Sequence, residues 1–253
     1  FYANDVVVYG GSTFNPYNNA MIVEGKIDIW DGGCLTVNNN AEISAYNFYC
    51  SGLYNQSNGL VYVNNNYIQY ATGTNQITGG TFRIDTPYGG SHYSFAGTTT
   101  LSGGNFQITN NGIQFGIGSS FNMSGSGTLK LGWGLRALSE SVFQASSGTV
   151  QFIGERSSNI NLAAGNYLPN IVIDKAGSTG AVYLLTDLTV KKSCTVQNGR
   201  LYVNERTLTV EQDIVIQGGD LYAYNSTDHI RFGGSWTNNA SPANFIEGSG
   251  LVT

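Results

Sequence analysis

Short stretches in which apolar and polar residues alternate recur along this chain of 253 residues. Each stretch covers about five or six residues and follows a glycine pair or another small residue, as in Gly32-Gly33-Cys34-Leu35-Thr36-Val37. A period of two places apolar side chains on one face of a β-strand and polar side chains on the other. Further copies of this phrase begin at Asn58, Gly79, Gly103, Ser126, Ser147, Asn198 and Gly218. The pattern therefore predicts many short strands joined by tight turns.

The spacing between the copies predicts how these strands are arranged. The marker glycines Gly33, Gly59, Gly80, Gly104, Gly127 and Gly148 follow one another at intervals of 26, 21, 24, 23 and 21. One such unit cannot bury its apolar face alone, but stacked coils can bury it against each other. The drifting period of roughly 20–26 residues predicts an all-β parallel β-helix (β-solenoid) of about 11 coils. The asparagine triplets 38–40 and 64–66 follow their strands at equivalent places, which predicts an asparagine ladder.

Two other architectures compete with the solenoid. Twice the observed period overlaps the blade length of a β-propeller, but no Trp-Asp or comparable blade signature occurs. A β-sandwich would not repeat one phrase so many times. We therefore expect one solenoid domain over residues 1–253, with a sub-division near residue 165, into 1–165 and 166–253, as the alternative.

The last third of the chain resembles a known group of repeats. It contains Leu168-Pro169-Asn170-Ile171-Val172-Ile173, Asp187-Leu188-Thr189-Val190, Gly199-Arg200-Leu201-Tyr202-Val203 and Gly234-Ser235-Trp236-Thr237-Asn238. These phrases are similar to repeats in large secreted, cell-surface proteins of the Bacteroidota and related anaerobic bacteria. The resemblance covers about residues 168–253. It implies an extracellular β-solenoid stalk or surface module and carries no implication of a particular activity.

Composition narrows the protein class. The chain has 34 Gly and 4 Pro, and only 11% of its residues are charged, which argues against a helical bundle, a coiled coil or collagen. An aromatic fraction of 12% is too high for a disordered chain. The net charge of -5 offers no basic face for nucleic acid. No long uninterrupted apolar stretch occurs, so we expect no membrane span.

The first residues and the cysteines bear on localisation. The chain begins with Phe1 and shows no basic and apolar signal segment, so we expect a processed chain or a segment of a longer protein. Cys34 and Cys50 are close enough in sequence to pair in an oxidising compartment. We favour the alternative, in which both of them and Cys194 are small buried side chains.

Candidate catalytic chemistry is sparse. The two histidines, His92 and His229, do not lie in the Gly-His-Gly turn of polygalacturonase-type sites. The carboxylate pairs Asp28/Asp31 and Glu211/Asp213 are the nearest approach to a glycosidase pair, and a solvated polar face is the favoured explanation for them. Residues 28–32 form a weak candidate cation loop. We therefore predict no catalytic residue, no cofactor site and no metal site.

Six tyrosines fall close together in the first third of the chain: Tyr46, Tyr49, Tyr54, Tyr62, Tyr67 and Tyr70. Exposed rings there would provide surface aromatic contacts for a sugar or a neighbouring subunit. Tyr is also favoured in the packing of strands. The sequence leaves both interpretations open.

The two chain ends suggest self-assembly. Val6-Val7-Val8 and Leu251-Val252 are apolar strands without an evident cap. We predict that copies join head to tail by strand stacking or strand addition. The resulting hypothesis is a non-enzymatic, secreted subunit of a cell-surface fibre, filament or adhesive stalk. Its partners would be further copies of itself, and carbohydrate or another surface protein. The alternatives are a polysaccharide lyase or hydrolase on a right-handed β-helix, and a carbohydrate-binding or tailspike-like module.

Overall fold

The computed structural model describes residues 1–87, 92–177 and 180–253. Apart from one 3-10 turn, Pro242–Asn244, the regular elements of these residues are all β-strands. In chain order the strands are β1 (Tyr2–Ala3), β2 (Val6–Val8), β3 (Thr13–Phe14), β4 (Ala20–Ile29), β5 (Cys34–Val37), β6 (Glu42–Cys50), β7 (Leu53–Gln56), β8 (Leu60–Gln69), β9 (Thr74–Ile77), β10 (Thr81–Ile84), β11 (His92–Phe95), β12 (Thr98–Leu101), β13 (Asn105–Ile108), β14 (Gly112–Phe115), β15 (Ser120–Met123), β16 (Thr128–Leu131), β17 (Leu135–Ala137), β18 (Val142–Ala145), β19 (Thr149–Gly154), β20 (Ser158–Leu162), β21 (Ile171–Lys175), β22 (Ala181–Leu184), β23 (Leu188–Val190), β24 (Cys194–Asn198), β25 (Arg200–Tyr202), β26 (Thr207–Val210), β27 (Ile214–Ile216), β28 (Asp220–Ala223), β29 (His229–Phe232), β30 (Trp236–Asn238), β31 (Phe245–Glu247) and β32 (Leu251–Val252).

Parallel pairing arranges the strands in three faces around one core. The first face runs from β1 to β30 and the second from β2 to β31. The long strands β4, β6 and β8 pass through both faces, so the two faces form one 21-stranded sheet. The third face consists of a 7-stranded sheet, β3 to β18, and a 4-stranded sheet, β23 to β32. This arrangement confirms the predicted all-β parallel solenoid.

The described residues make about 12 turns, close to the 11 predicted from the sequence. The sequence offset between paired residues of successive coils varies: it is short where Glu42 pairs with Leu60 and longer where Gln69 pairs with Phe95. Most of the length differences fall in the corners, because the strands themselves pair largely residue by residue. At the strand spacing of about 4.8 Å, the stack is on the order of 50 Å long.

The repeated phrase does not mark one fixed place in the coil. Gly59, Gly80 and Gly104 precede strands of the first face, whereas Gly33 precedes β5 on the third face and Gly199 precedes β25 on the second. The repeated sequence motif therefore marks a corner, but it does not indicate which of the three faces follows. The expected equivalence of the asparagine triplets was wrong for the same reason. Residues 38–40 lie at the corner after β5, and residues 64–66 lie inside β8.

Asparagines do stack between coils, at two separate corners. Asn18 Oδ1 accepts the Asn40 backbone N–H at 3.2 Å, and Asn58 Nδ2 donates to Asn40 Oδ1 at 3.4 Å. At the other corner Asn65 Nδ2 donates to Asn47 Oδ1 at 3.0 Å. Asn18, Asn40 and Asn58 thus form a short ladder at one corner, and Asn47 and Asn65 form a single pair at the other.

The core is one continuous cluster of inward-facing side chains from Val8 to Ile230. Stacked rings dominate its first part, for example Tyr67 on Phe95 at 5.0 Å between centroids and Phe121 on Phe143 at 5.2 Å. After Phe152 the buried side chains are mainly Leu, Ile and Val. Burying each large side chain contributes roughly 1.5–3 kcal/mol. The sub-division near residue 165 stays a prediction.

The third face is interrupted in the coil that contains β19 and β20. The segment 163–168 forms a turn and a single bridge, Leu168 to Val190, in place of a strand. Asn166 spans the gap to the coil before it: its Oδ1 accepts the Phe143 N–H at 2.6 Å and its Nδ2 donates to the Ser141 carbonyl at 3.3 Å. A side chain thereby replaces ladder hydrogen bonds.

Candidate functional site: open strand edges and outer surfaces

Each end of the coil stack has three strand edges that pair with no strand of the described chain: β1, β2 and β3 at one end and β30, β31 and β32 at the other. Among the predicted assembly residues, Val8 is buried, and Val6 and Val252 pack partly buried against the core. Val7 is half-buried and Leu251 is 50% exposed. Whether these strands mediate assembly stays a prediction.

The backbone of Val7 faces the open edge. Trp30 N–H donates to the Val8 carbonyl at 3.0 Å, so the polar groups of Val8 point toward β4. Backbone groups alternate in direction along a strand, which turns the N–H and C=O of Val7 away from β4. Such an edge can accept another strand.

The tyrosine cluster divides between the core and the surface. The surface interpretation was wrong for Tyr54 and Tyr67, each 1% exposed, because they occupy inward positions of β7 and β8. Tyr46 and Tyr70 are 50% and 46% exposed, and Tyr49 and Tyr62 are half-buried. The hydroxyl of Tyr62 donates to Asp85 Oδ2 at 3.0 Å.

The buried tyrosines belong to a polar network inside the core. Tyr54 Oη donates to Gln56 Oε1 at 2.7 Å, and Asn75 Nδ2 donates to Tyr67 Oη at 2.6 Å and to Thr99 Oγ1 at 3.1 Å. Burial raises the pKa of both phenols well above their usual value. The neutral phenols therefore act as hydrogen-bonding core residues.

In the candidate acid pairs, Asp28, Glu211 and Asp213 are each engaged in a separate structural contact. Lys26 Nζ lies 3.0 Å from Asp28 Oδ2, and Asp31 lies exposed in the following corner. Glu211 pairs with Lys191 of the preceding coil, whereas Asp213 Oδ1 accepts the Ser235 N–H of the next coil at 2.7 Å. Asp28 and Glu211 thus form ion pairs with lysines, and Asp213 accepts a backbone hydrogen bond.

Asp side chains that accept a backbone N–H from a neighbouring coil recur in the structure. Asp5 accepts from Lys26 at 2.8 Å, Asp187 from Thr207 at 2.8 Å and Asp228 from Glu205 at 2.5 Å. Together with Asp213, these Asp residues therefore serve as acceptors for backbone N–H groups at the corners. The sequence signal for this role is an Asp directly before a strand.

A cleft of about 620 Å³ lies along the corner between the first and second faces, beside Asp174, Lys175, Arg200 and Asp220. Its acidic and lysine groups are already partnered. Asp174 accepts from Gln151 Nε2 at 2.9 Å and from Asn198 Nδ2 at 2.8 Å, and Asp220 Oδ1 accepts from Asn244 Nδ2 at 2.8 Å. Lys175 Nζ donates to the carbonyls of Ile153 at 2.7 Å and Gly132 at 3.0 Å.

A ladder of outward tyrosines, which the sequence reasoning missed, follows the second face. Tyr183 and Tyr202 stack at 4.8 Å and Tyr202 and Tyr222 at 4.3 Å between centroids. Each of these tyrosines pairs in register with the next, so their spacing along the chain equals one coil. That spacing was the available sequence signal.

Cys34 and Cys50 are unpaired, in agreement with the favoured interpretation. Cys34 faces outward on the third face and is half-buried rather than buried, whereas Cys50 and Cys194 face the core. Burial raises the pKa of Cys50 and of Cys194 to about 12, so both remain thiols at neutral pH.

Within the described ranges, no three His, Cys, Asp or Glu side chains come together as a set of metal ligands. The same part of the chain contains no helix with the length and apolar character that crossing a membrane requires. Comparisons of the chain with protein-family models, with curated proteins and with solved structures found no match.

Proposed function

We propose that this chain is a structural β-solenoid of an extracellular, cell-surface fibre or stalk, joined end to end to further copies through its open strand edges. The observation that carries the proposal is the parallel ladder, which continues through all coils on two faces and ends in unpaired edges. A secreted location is part of this proposal and draws its support from the low charge and from the repeats that residues 168–253 resemble.

The mechanism is mechanical. Each coil is held to the next by hydrogen bonds on its faces and by shared core side chains, as with β6 and β8. Each coil contacts only its neighbours, so a pull along the axis is carried by all the hydrogen bonds between two adjacent coils. Separating the coils must therefore break several of these bonds together. The buried rings stack along the same axis and oppose shear between coils.

End-to-end joining would continue the existing ladder. An incoming strand beside β2 would receive the backbone groups of Val7, and the apolar side chains of Val6 and Phe14 would gain the cover that the preceding coil gives elsewhere. Because the two ends are different surfaces, the contact is heterologous and produces open filaments.

Negative-stain electron microscopy of the purified chain, over a range of concentrations, tests this proposal. We expect filaments one solenoid wide whose axial repeat is on the order of 50 Å, the length of the stack. Single rods at every concentration, together with depolymerisation of a polysaccharide substrate, would overturn it in favour of a β-helix enzyme.

A further inference from the structure

One corner of the solenoid carries a line of exposed aromatic side chains. Between the second and third faces, Tyr9, Trp30 and Tyr70 each begin a four-residue corner and each accepts a hydrogen bond from the residue three positions later. Their side chains are 57%, 51% and 46% exposed. The rings of Tyr9 and Trp30 touch edge to face, 5.2 Å between centroids.

The coil between Trp30 and Tyr70 has a shorter corner. Only Ser51 and Gly52 separate β6 from β7, and the Ser51 N–H donates to Ile29, whose neighbour is Trp30. Ser51 therefore occupies the place of the missing ring. Trp30 and Tyr70 lie two coils apart, about 9.6 Å along the axis.

The short corner leaves a recess of about 370 Å³ on the outside of the third face, lined by residues that include Asp31, Cys34, Leu53 and Thr72. A second recess of about 200 Å³ continues across the same strands, and Thr36, Asn55 and Gln76 line it. Asp31 is the one charged side chain among the described residues that line the two recesses.

We propose that this corner and the adjoining recesses bind a neutral oligosaccharide. The apolar C–H face of a pyranose ring packs on an exposed aromatic ring, and Trp30 and Tyr70 would hold two such rings about a disaccharide apart. Hydroxyl and amide groups of Thr36, Asn55 and Gln76 and the carboxylate of Asp31 would meet the sugar hydroxyls. With no basic side chain in the described lining, an acidic sugar would find no counter-charge.

Titration calorimetry with the purified chain tests the site, using cellohexaose, xylohexaose, mannohexaose and fully N-acetylated chitohexaose as neutral probes and oligogalacturonate as the acidic one. We expect at least one neutral probe to bind and the acidic one not to bind. Trp30→Ala and Tyr70→Ala should each weaken binding roughly tenfold. Tyr224→Ala, which removes a 66% exposed ring elsewhere, should leave it unchanged.

Three results would contradict a neutral-sugar site at this corner. Failure of all neutral probes to bind at millimolar concentration overturns the proposal, as does equal binding by wild type and both corner variants. Preferential binding of oligogalacturonate overturns it too. Thermal melts of the three variants show whether each has kept the fold. Filament formation is a separate readout, so the site can fail while the structural role stands, or the reverse.

Discussion

At the scale of single residues, several glycines are required because a carbonyl of the preceding coil occupies the space of a side chain. A Cβ on Gly132 would fall inside the van der Waals contact distance of the Thr109 carbonyl oxygen. Gly132 itself has no positive φ, so packing rather than backbone conformation excludes larger residues there. Gly116 is a different case, since a Cβ at that position would meet the Phe95 carbonyl at an ordinary 3.6 Å.

Gly132→Ala should therefore destabilise the solenoid by about 1–3 kcal/mol, because the coil backbone must shift to admit a methyl group. Gly116→Ala is the matched control, with an expected effect near zero or slightly stabilising. Urea unfolding of both variants measures the difference. Equal effects of the two substitutions would show that coil contact does not decide which glycines are needed.

Lys175 is a buried cation, with no exposed surface and two backbone carbonyls as partners. Burial lowers the pKa of its ammonium group to about 7, from 10.5 in the unfolded chain. Gly180 and Gly199 leave room for its side chain, since a Cβ on either would press on Lys175 Cβ.

The unfolded chain binds the Lys175 proton between pH 7 and 10.5 while the folded chain releases it, so stability should rise with pH in that window. From pH 7 to 8.5 the expected gain is about 1.5 kcal/mol. This part of the window lies below the usual pKa of the buried thiols and phenols. Urea unfolding at several pH values should show the slope in wild type and lose it in Lys175→Met. A slope shared by both proteins would assign it to other groups.

At the scale of elements, side chains repair the ladder where a strand is missing. The interrupted third face shows this at Asn166, which gives one oxygen and one amide to the preceding coil. The sequence did not predict this gap. Residues 163–168 show no apolar–polar alternation, and the absence of the pattern does not distinguish a missing strand from a longer corner.

Replacing Asn166 by Ala should cost about 1–3 kcal/mol, because the Phe143 N–H is left without its acceptor in a part-buried place. Asn166→Asp keeps the acceptor oxygen and should cost less. Asn239→Ala changes an exposed corner amide and serves as the control. Thermal denaturation ranks the three, and an Asn239→Ala effect as large as that of Asn166→Ala would contradict the bridging role.

The sequence predicted strand existence and period better than the phase of the coils. Inward positions such as Phe82 and Phe106 follow directly from alternation, and both are 1% exposed. The phase failed because corner glycines precede strands of all three faces, so Gly33 and Gly59 were aligned although they lie on different faces. For the same reason, the local residue pattern did not distinguish the buried tyrosines of β7 and β8 from the exposed tyrosines near them.

The candidate surfaces were harder to predict than the fold. Tyr9 and Trp30 fall outside the tyrosine-rich window, and only the coil register places them in line with Tyr70. Tyr9, Trp30 and Tyr70 each directly follow a strand whose last side chain faces the core. This position identifies the aligned rings only once the corners between the strands are known.

At the scale of the whole molecule, the proposed assembly depends on backbone groups at the open edge. Val7→Pro should prevent filament growth at the β2 end, since proline removes the N–H that an added strand needs. The fold should survive, because the Val7 N–H points away from β4. Val7→Thr retains that donor and should form filaments like the wild type. Electron microscopy of the two variants at matched concentration is the measurement, and filaments in Val7→Pro would exclude β2 as a joining edge.

The drift in coil length has a genetic consequence. Because corners absorb changes of several residues while strand spacing stays fixed, duplication of one coil, such as residues 105–127, adds one rung and leaves the contacts of the other coils intact. The reach of such a rod can thus change in whole-coil steps through in-frame duplication or loss, without redesign of either end. Length becomes a trait that selection can adjust separately from the surface residues of the individual coils.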